Sequence, residues 1–221
     1  MQGVDIVGFL QQLPQFVIPI LFAITVHGVA HGWVAKHCGD PTAAFAGRLT
    51  LNPLKHIDPV GTVIVPLALI LFTGFAFGWA KPVPVAFNNL NKPRRDMILV
   101  AVAGPISNLA MALGWALLGS VTQALGGFDA LVGQWVLGMC VWGIQINVIL
   151  AVFNLLPIPP LDGGRVLAGL LPPRMASVLD GIEPFGFMIV VLLMVTGTLW
   201  VLLDPLRFFF IDLFWAIARF G

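Results

Sequence analysis

Apolar segments about as long as a lipid bilayer is thick constrain this chain more than any other feature. A hydrocarbon layer ~30 Å thick is crossed by a helix of about 20 apolar residues, and hydrophobic residues make up 59% of the sequence. Soluble domains have an apolar fraction of ~45–50%. The sequence therefore predicts a polytopic membrane protein. The segments of suitable length are 14–34, 60–79, 97–119, 132–155 and 185–203, followed by a shorter one at 205–219.

The same pattern predicts an all-α fold in one integral membrane domain. We expect about five or six transmembrane helices, a re-entrant or hairpin element and a short β-like edge. Pro66 and the glycines and prolines that follow make an uninterrupted helix over 60–79 unfavourable. The predicted parts of domain 1–221 are a first helix (14–34), a re-entrant and strand-like region (40–90), core helices (97–119 and 132–155), a loop (156–184) and C-terminal helices (185–219).

The basic residues predict which side of the membrane each loop occupies. Cytoplasmic loops are enriched in Lys and Arg, and all eleven such residues except Arg207 share one side if 60–79 re-enters. The external segments are then 1–13, 120–131 and a tight link at Asp204-Pro205. The residues expected to share the inner side are Lys36, Arg48, Lys55, Lys81, Lys92, Arg94, Arg95, Arg165, Arg174 and Arg219.

Charge and cysteine content exclude several other classes of protein. A net charge of +1 gives no reason to expect nucleic-acid binding. Cys38 and Cys140 are too few for a disulfide framework or a thiolate zinc site. The first dozen residues contain no Lys or Arg, so we expect no cleaved signal peptide.

Two histidines lie one helical turn apart inside the first apolar segment. The four-residue spacing of His27 and His31 places both imidazoles on one face of a helix. Ionisable side chains are costly in hydrocarbon, so their presence indicates a function. Two neutral imidazoles on one face can bind the same zinc ion, and Asp162 is the best candidate for a third ligand. Such a set leaves one zinc position open, as in catalytic sites.

The positions of these candidate ligands also constrain the topology. His27, His31 and Asp162 all lie near the C-terminal ends of their apolar segments, so they meet only if 14–34 and 132–155 run parallel. Parallel helices are separated by an odd number of crossings. Because 97–119 supplies one crossing, 60–79 is expected to enter and leave the membrane on the same side.

Three motifs carry a resemblance that covers nearly the whole chain. They are His27-x-x-x-His31, Gly104-Pro105-Ile-Ser-Asn108 and Asn154-x-x-Pro157-x-x-Pro160-x-Asp162-Gly163. In this order the chain resembles the site-2 protease family of intramembrane zinc metalloproteases, in its small bacterial form without a PDZ domain. The resemblance implies one Zn²⁺ ion held by His27, His31 and Asp162. It also implies cleavage of transmembrane segments of other proteins, in regulated intramembrane proteolysis.

The resemblance further implies partners, location and roles for other residues. The expected substrate is a single-span transmembrane protein in the bilayer of a bacterial inner (cytoplasmic) membrane, with the active site toward the cytoplasmic side. Asn154 would bind or orient the substrate backbone, and Pro157 and Pro160 would keep the chain before the ligand irregular. Asn108 is either part of the substrate-binding site or a polar contact between helices. Residues 79–87 are the predicted strand edge for an unwound substrate.

The chain departs from the family pattern at Gly28. The pattern His-Glu-x-x-His places a general base directly after the first histidine, and this sequence reads His27-Gly28. General-base assistance is worth roughly 10²–10⁴-fold in rate, so hydrolysis is expected to be slow to undetectable. Either an introduced substitution or a naturally inactive family member would explain Gly28. The first is favoured because every other group remains. The single glutamate, Glu183, is not expected to substitute.

Two other functions stay open beside the protease. A pseudoprotease would keep zinc and bind membrane segments without cutting them. A metal-ion transporter would also need intramembrane His and Asp residues, although transporters usually have two related halves and no repeat is found. His37 and His56, next to Lys36 and Lys55, are expected to be solvated loop residues.

Overall fold

The computed structural model describes residues 6–65, 81–126 and 131–220, and within these ranges the regular structure is entirely helical. Three short elements connect the longer helices: 3₁₀ turns at Pro53–Lys55 and Phe87–Asn89, and a π-helical turn at Pro59–Ile64. The α-helices are α1 (Ile6–His37), α2 (Thr42–Phe45), α3 (Pro93–Ala124), α4 (Leu131–Asn154), α5 (Asp162–Leu170), α6 (Pro173–Val195) and α7 (Thr198–Ala218).

Four helices of the described ranges are long and apolar enough to cross a membrane. They are Leu13–His37 within α1, then α3, α4 and α6. The all-α polytopic fold predicted from the sequence is thereby confirmed. The last helix, α7, carries Asp204, Arg207 and Asp212 and is not among these four. Of the predicted re-entrant element the structure describes its beginning, Pro59–Ile64, and residues 66–80 lie outside the described ranges.

The first long helix runs antiparallel to α3. Near the C-terminal end of α1, His31 Nδ1 donates to the carbonyl of Val100 in the first half of α3. Closer to the start of α1, the carbonyl of Ala23 accepts a hydrogen bond from Asn108, which lies further along α3. Contacts that pair later residues of one helix with earlier residues of the other define opposite directions.

The fourth helix runs antiparallel to α3 and therefore parallel to α1. Asn108 Nδ2 donates to Asn147 Oδ1 at 2.9 Å, whereas Gly119, further along α3, packs against Cys140, earlier in α4. The prediction that the segments bearing the histidines and preceding the aspartate run parallel is confirmed. This parallel arrangement brings the C-terminal ends of α1 and α4 to the same end of the bundle.

The apolar core lies between α3, α4 and α7. Small residues of α3 sit where the helices approach closely, as is common for helix pairs in membranes. The buried members of this core are Ala112, Ala116, Ile144, Val148, Val152, Leu199, Leu203, Ile211, Phe214 and Ala218.

The loop predicted over 156–184 and the helix predicted over 185–203 are both wrong in their bounds. The ligand-bearing segment forms α5, and α6 begins at Pro173 and ends at Val195. The chain breaks at Gly197, whose φ of 74° is a left-handed conformation that glycine adopts without steric cost. The break therefore falls at a glycine, several residues before the predicted one.

The predicted tight link at Asp204-Pro205 lies inside α7. Asp204 pairs with Arg207 one turn later, at 2.7 Å, and α7 continues through both residues to Ala218. Because α7 is continuous, its end lies beside the end of α3 that is remote from the site, where Gln123 Nε2 donates to the carbonyl of Ala218 at 3.0 Å. The prediction that Arg219 shares the side of the other basic residues is therefore wrong.

The predicted β-like edge over 79–87 is not a strand where the structure describes it, residues 81–87. Residues 81–86 have no regular secondary structure and are followed by the 3₁₀ turn Phe87–Asn89. Side chains hold this segment instead of a ladder of main-chain bonds. Arg48 donates to the carbonyls of Lys81 and Pro82 at 2.7 and 3.1 Å, and the amide of Ala86 donates to Asp40 at 2.7 Å.

Candidate metal centre

The two histidines of α1 and the first residue of α5 converge on one point. His27 Nε2 and His31 Nε2 lie 3.0 Å apart, and Asp162 Oδ2 lies 3.3 Å and 3.4 Å from them. Among the described His, Cys, Asp and Glu residues, these three form the group of three whose ligand atoms lie within 4.8 Å of one another. The predicted ligand set is thus brought together by the fold.

The outer nitrogen of each imidazole faces a hydrogen-bond acceptor. His27 Nδ1 lies 2.6 Å from Asn108 Oδ1, and His31 Nδ1 lies 2.7 Å from the carbonyl of Val100. An acceptor at Nδ1 assigns the proton of a neutral imidazole to Nδ1, which leaves the Nε2 lone pair free. Both inner nitrogens are therefore in the form that binds a metal, oriented by partners on α3.

The donor set fits a zinc ion. Two unprotonated nitrogens and a carboxylate oxygen face one another, so no proton is available among them to hold the cluster together. Asp162 Oδ2 is buried and has no hydrogen-bond partner among the described residues. Ligand atoms 2.0–2.1 Å from a tetrahedral zinc ion are about 3.3 Å apart, close to the three separations observed here. A cation of this size resolves the repulsion between the three groups.

Asp162 is ionised in this setting. Burial raises its pKa, but in the metal-free chain hydrogen bonds and charge from the protonated forms of the two imidazoles beside it lower the pKa more, to about 2. Only the carboxylate form of Asp162 binds a metal. The residue also begins α5, and the N-terminal end of a helix favours a negative charge.

Two glycines permit the close approach of the ligand-bearing elements. A Cβ atom on Gly104 would lie 2.6 Å from Cε1 of both His27 and His31, so α3 can pack against the imidazoles only without a side chain there. A Cβ atom on Gly163 would overlap the main-chain carbonyl of Leu155, just after α4. The second contact sets the position of α5 and therefore of Asp162.

A cavity of about 590 Å³ opens beside the three ligands. Its lining is mostly apolar and includes residues of α1, α3, α4, α5 and the segment after residue 80. The lining residues that bear on chemistry are Gly28, His56, Lys81, Asn154, Pro160 and Arg165. His27, His31 and Asp162 also line this cavity, so it is continuous with the point on which they converge.

Only some of the residues predicted to bind substrate line the cavity. Asn154 and Pro160 line the cavity, and Asn154 Nδ2 donates to its own helix at Leu150. Pro157 is exposed and is not among the lining residues. Asn108 is fully buried behind His27, so of its two predicted roles the structure supports the contact between helices and not direct substrate binding.

Side chains of Val83 and His56 lie close to the point where a side chain at position 28 would begin. A Cβ atom on Gly28 would lie 2.9 Å from Cγ2 of Val83 and 3.4 Å from Nδ1 of His56. Gly28 also lines the cavity, so a side chain at this position would enter the cavity beside Val83 and His56.

Sequence reasoning missed His56. It was expected to be a solvated loop residue, yet it is 1% exposed and lines the cavity. The available signal was its place just before Asp58-Pro59, where the π-helical turn Pro59–Ile64 begins. His37 is exposed, as expected. Glu183 is also exposed, pairs with Arg165 at 3.5 Å and does not line the cavity.

The fold and the site together are those of a membrane protein whose donor set fits the zinc centre of a metallopeptidase. Two histidines one turn apart and a carboxylate from a later helix leave one coordination position open to a cavity. A comparison with known families agrees, since the profile of peptidase family M50 matches residues 120–196. The chain belongs to this family, the site-2 proteases, and is a zinc metalloprotease by family.

Several bacterial relatives have significant similarity. The chain is 40% identical over 219 residues to the Bacillus subtilis protein named "Putative zinc metalloprotease YwhC", and the match covers 95% of each chain. It is 32% identical over 179 residues to "Putative zinc metalloprotease Rip2" of Mycolicibacterium smegmatis, covering 81% of this chain and 66% of the relative. "Regulator of sigma-E protease RseP" of Escherichia coli is 32% identical over 114 residues, which are 48% of this chain and 25% of that protein. No solved structure matches significantly.

Proposed function

We propose that this chain is a zinc-dependent endopeptidase that cleaves transmembrane segments of other membrane proteins. The observation that carries the proposal is the convergence of His27, His31 and Asp162 on one point beside a cavity in a helical membrane bundle. One Zn²⁺ ion bound there would supply Lewis-acid polarisation of the scissile carbonyl and acidify a bound water.

The lining of the cavity suits an extended peptide. The side-chain amide of Asn154 donates to Leu150 through Nδ2, which leaves its oxygen to accept a hydrogen bond from a substrate N–H group. A transmembrane helix satisfies its own main-chain groups, so the segment must unwind before water reaches a peptide bond. The mostly apolar walls can accommodate the side chains of such a segment.

The orientation in the membrane follows from the charges around the site. Lys36 lies at the end of α1 near the site, and Arg48 donates to the carbonyls of Lys55 and Lys81 in the adjacent loops. Basic residues concentrate on the cytoplasmic side. We therefore infer a bacterial inner-membrane protein whose site opens toward the cytoplasm, acting on single-span proteins in regulated intramembrane proteolysis.

We expect the chain to hydrolyse peptide bonds more slowly than a version with a carboxylate at position 28. The family pattern places its general base there, and general-base assistance is worth roughly 10²–10⁴-fold in rate. Replacing Gly28 by Glu restores the group, but its Cβ atom meets Val83. The double variant Gly28→Glu, Val83→Ala removes the colliding methyl groups and is therefore the better protein in which to restore the base.

The experiment compares cleavage of a panel of single-span segments by the full chain in detergent. The proteins are the unchanged chain, Val83→Ala as the matched control, Gly28→Glu and the double variant, each with and without a zinc chelator. We expect chelator-sensitive cleavage that is at least about 10²-fold faster in the double variant. An Asp162→Ala version of the double variant is expected to be inert.

A pseudoprotease is the second candidate, and Gly28 is the observation that favours it. No cleavage by any of these proteins, each containing one zinc ion per chain, would overturn the endopeptidase and support the pseudoprotease. Uptake of radioactive zinc into sealed vesicles containing the unchanged chain, abolished by Asp162→Ala, would instead support the transporter.

A further inference from the structure

A histidine outside the ligand set lines the same cavity as the three candidate ligands. His56 follows the 3₁₀ turn Pro53–Lys55, is 1% exposed and lines the cavity that also contains the three ligands. Its Nδ1 atom lies 3.4 Å from the point where a side chain at position 28 would begin. The carboxyl carbon of a glutamate lies two bonds, roughly 2.5 Å, beyond its Cβ atom. His56 Nδ1 therefore occupies the region that the carboxylate of a glutamate at position 28 would enter.

The hydrogen bonding of His56 assigns the tautomer of its neutral ring. Nε2 lies 2.9 Å from the main-chain carbonyl of Thr50, and a carbonyl oxygen only accepts. In the neutral ring the proton is therefore on Nε2, and the lone pair is on Nδ1. No hydrogen bond to Nδ1 occurs within the part of the chain that the structure describes. This tautomer is opposite to that of His27 and His31, whose protons lie on Nδ1.

The backbone around His56 is fixed by neighbouring segments. Its carbonyl accepts from the amide of Lys81 at 2.9 Å. Arg48, 7% exposed, donates to the carbonyls of Lys55, just before the histidine, and of Lys81. These contacts join the loop that bears His56 to the segment that bears Val83, so both side chains are held against Gly28. The backbone on both sides of His56 is therefore fixed by hydrogen bonds.

We propose that His56 is the general base of this chain. It would have the role that the family pattern gives to a glutamate directly after the first histidine. This inference rests on the proposed function. His56 Nδ1 takes a proton from the attacking water as the water oxygen forms a bond to the scissile carbonyl carbon. The peptide C–N bond then breaks, and the imidazolium gives that proton to the leaving nitrogen. One water is consumed, one acid and one amine are formed, and His56 returns to its neutral form.

The test is a double-mutant cycle between position 28 and His56. His56→Gln is introduced into the unchanged chain and into the Gly28→Glu, Val83→Ala variant. Glutamine keeps a donor for the Thr50 carbonyl and removes the base. We expect the rate of the unchanged chain to fall by about 10²-fold or more. The loss in the glutamate variant should be at least tenfold smaller, because a second base is present. His37→Gln, at an exposed histidine, is the matched control.

The outcomes separate this inference from the proposed function. Equal losses in both backgrounds would assign His56 a structural role and overturn the proposal. No cleavage by the unchanged chain, with cleavage by the glutamate variant, would also overturn it while the endopeptidase stands. No cleavage in any background would overturn both. Zinc content is measured for every variant, and a loss of zinc in His56→Gln would likewise assign a structural role.

A second readout does not depend on activity. In the metal-free full chain with nitrogen-labelled histidine, long-range proton–nitrogen NMR spectra report the tautomer of each neutral ring. We expect His56, assigned by the signals missing in His56→Gln, to carry its proton on Nε2, and His27 and His31 to carry theirs on Nδ1. A His56 proton on Nδ1 would remove the lone pair that the proposal requires and would overturn it.

Discussion

Asn108 and His27 are joined across two helices by a 2.6 Å hydrogen bond between Oδ1 and Nδ1. Asn108 is fully buried, and its Nδ2 donates to Asn147 and to the carbonyl of Ala23. The amide therefore has a fixed orientation, with its oxygen toward the imidazole. This contact sets the tautomer of His27 and holds the ring toward the other ligands.

Asn108→Ala is therefore expected to weaken zinc binding by about 10–100-fold, the usual cost of losing such a partner. The substitution leaves a buried N–H group of His27 without an acceptor. Zinc affinity is measured by competition with a chromophoric chelator. Asn108→Asp keeps an acceptor and should bind zinc more tightly than the alanine variant. Thr122→Val, on the same helix but half-buried and remote from the site, is the control. Equal affinities in Asn108→Ala and the unchanged chain would contradict the assigned role.

Gly104→Ala tests the close packing of α3 against the imidazoles. Its methyl group would lie 2.6 Å from both His27 and His31, so the rings must turn away or the helices must separate. We expect a loss of zinc affinity of about 100-fold and little cleavage in the Gly28→Glu, Val83→Ala background. Gly114→Ala is the matched control, since nothing lies within 4 Å of a Cβ atom there. A zinc affinity for Gly104→Ala equal to that of the control would show that the approach is looser than described.

Metal removal should destabilise the fold. The ligands come from α1 and α5, so an ion that binds only the folded chain stabilises it by about 2.7 kcal/mol at a concentration 100 times its dissociation constant. For a chain of this size this corresponds to a decrease in Tm of about 5–10 °C on chelation. Thermal unfolding is followed in detergent with and without chelator. Asp162→Ala should show little change, and a similar decrease in both proteins would point to an effect of the chelator itself.

Asp40 is expected to make the loop region sensitive to acid. It is fully buried and accepts hydrogen bonds from Thr42, Ala86 and Asn89. Burial raises the pKa of Asp40, but these bonds lower the pKa more, so that it lies below the ordinary value, ~3.9. Because the folded-state pKa is depressed, the stabilisation is fully present above about pH 4. It is lost as the pH falls through the folded-state pKa.

Asp40→Asn should remove this acid dependence and lower stability at neutral pH by roughly 1.5–3 kcal/mol, the scale of hydrogen bonds to a charged group. Unfolding is measured between pH 3 and 7 in matched detergent buffers. Asp180→Asn, at an exposed position, should follow the unchanged chain. An Asp40→Asn protein with an unaltered acid transition would exclude Asp40 as its source.

The ligand set was predictable from the sequence because its signals are local. Four-residue spacing places His27 and His31 on one helix face whatever packs against them. Burial in hydrocarbon makes such residues conspicuous in an apolar segment. The parallel direction of the helix before Asp162 followed from the requirement that all three groups meet. The choice of Asp162 rested on its place after an apolar segment and on the resemblance of its motif to that of the site-2 proteases.

The C-terminal region could not be predicted in the same way. Asp204 and Pro205 are residue types that often interrupt a helix, yet α7 continues through them. The chain turns at Gly197 instead. Proline inside a membrane helix is tolerated when neighbouring groups compensate. Gly197 is a local signal for a helix end, but only the packing of α7 against α3 and α4 shows that Asp204 and Pro205 do not break the chain again.

The sequence by itself determined the membrane class and the helical fold and predicted the two histidines as candidate metal ligands, since apolar length and residue spacing act within one segment at a time. The tertiary structure decided which groups surround those ligands. It placed Asn108 behind His27, Gly104 against both rings, and His56 beside Gly28. These residues are separated by many positions in the chain, and their contacts exist only because particular helices and loops pack together at fixed distances.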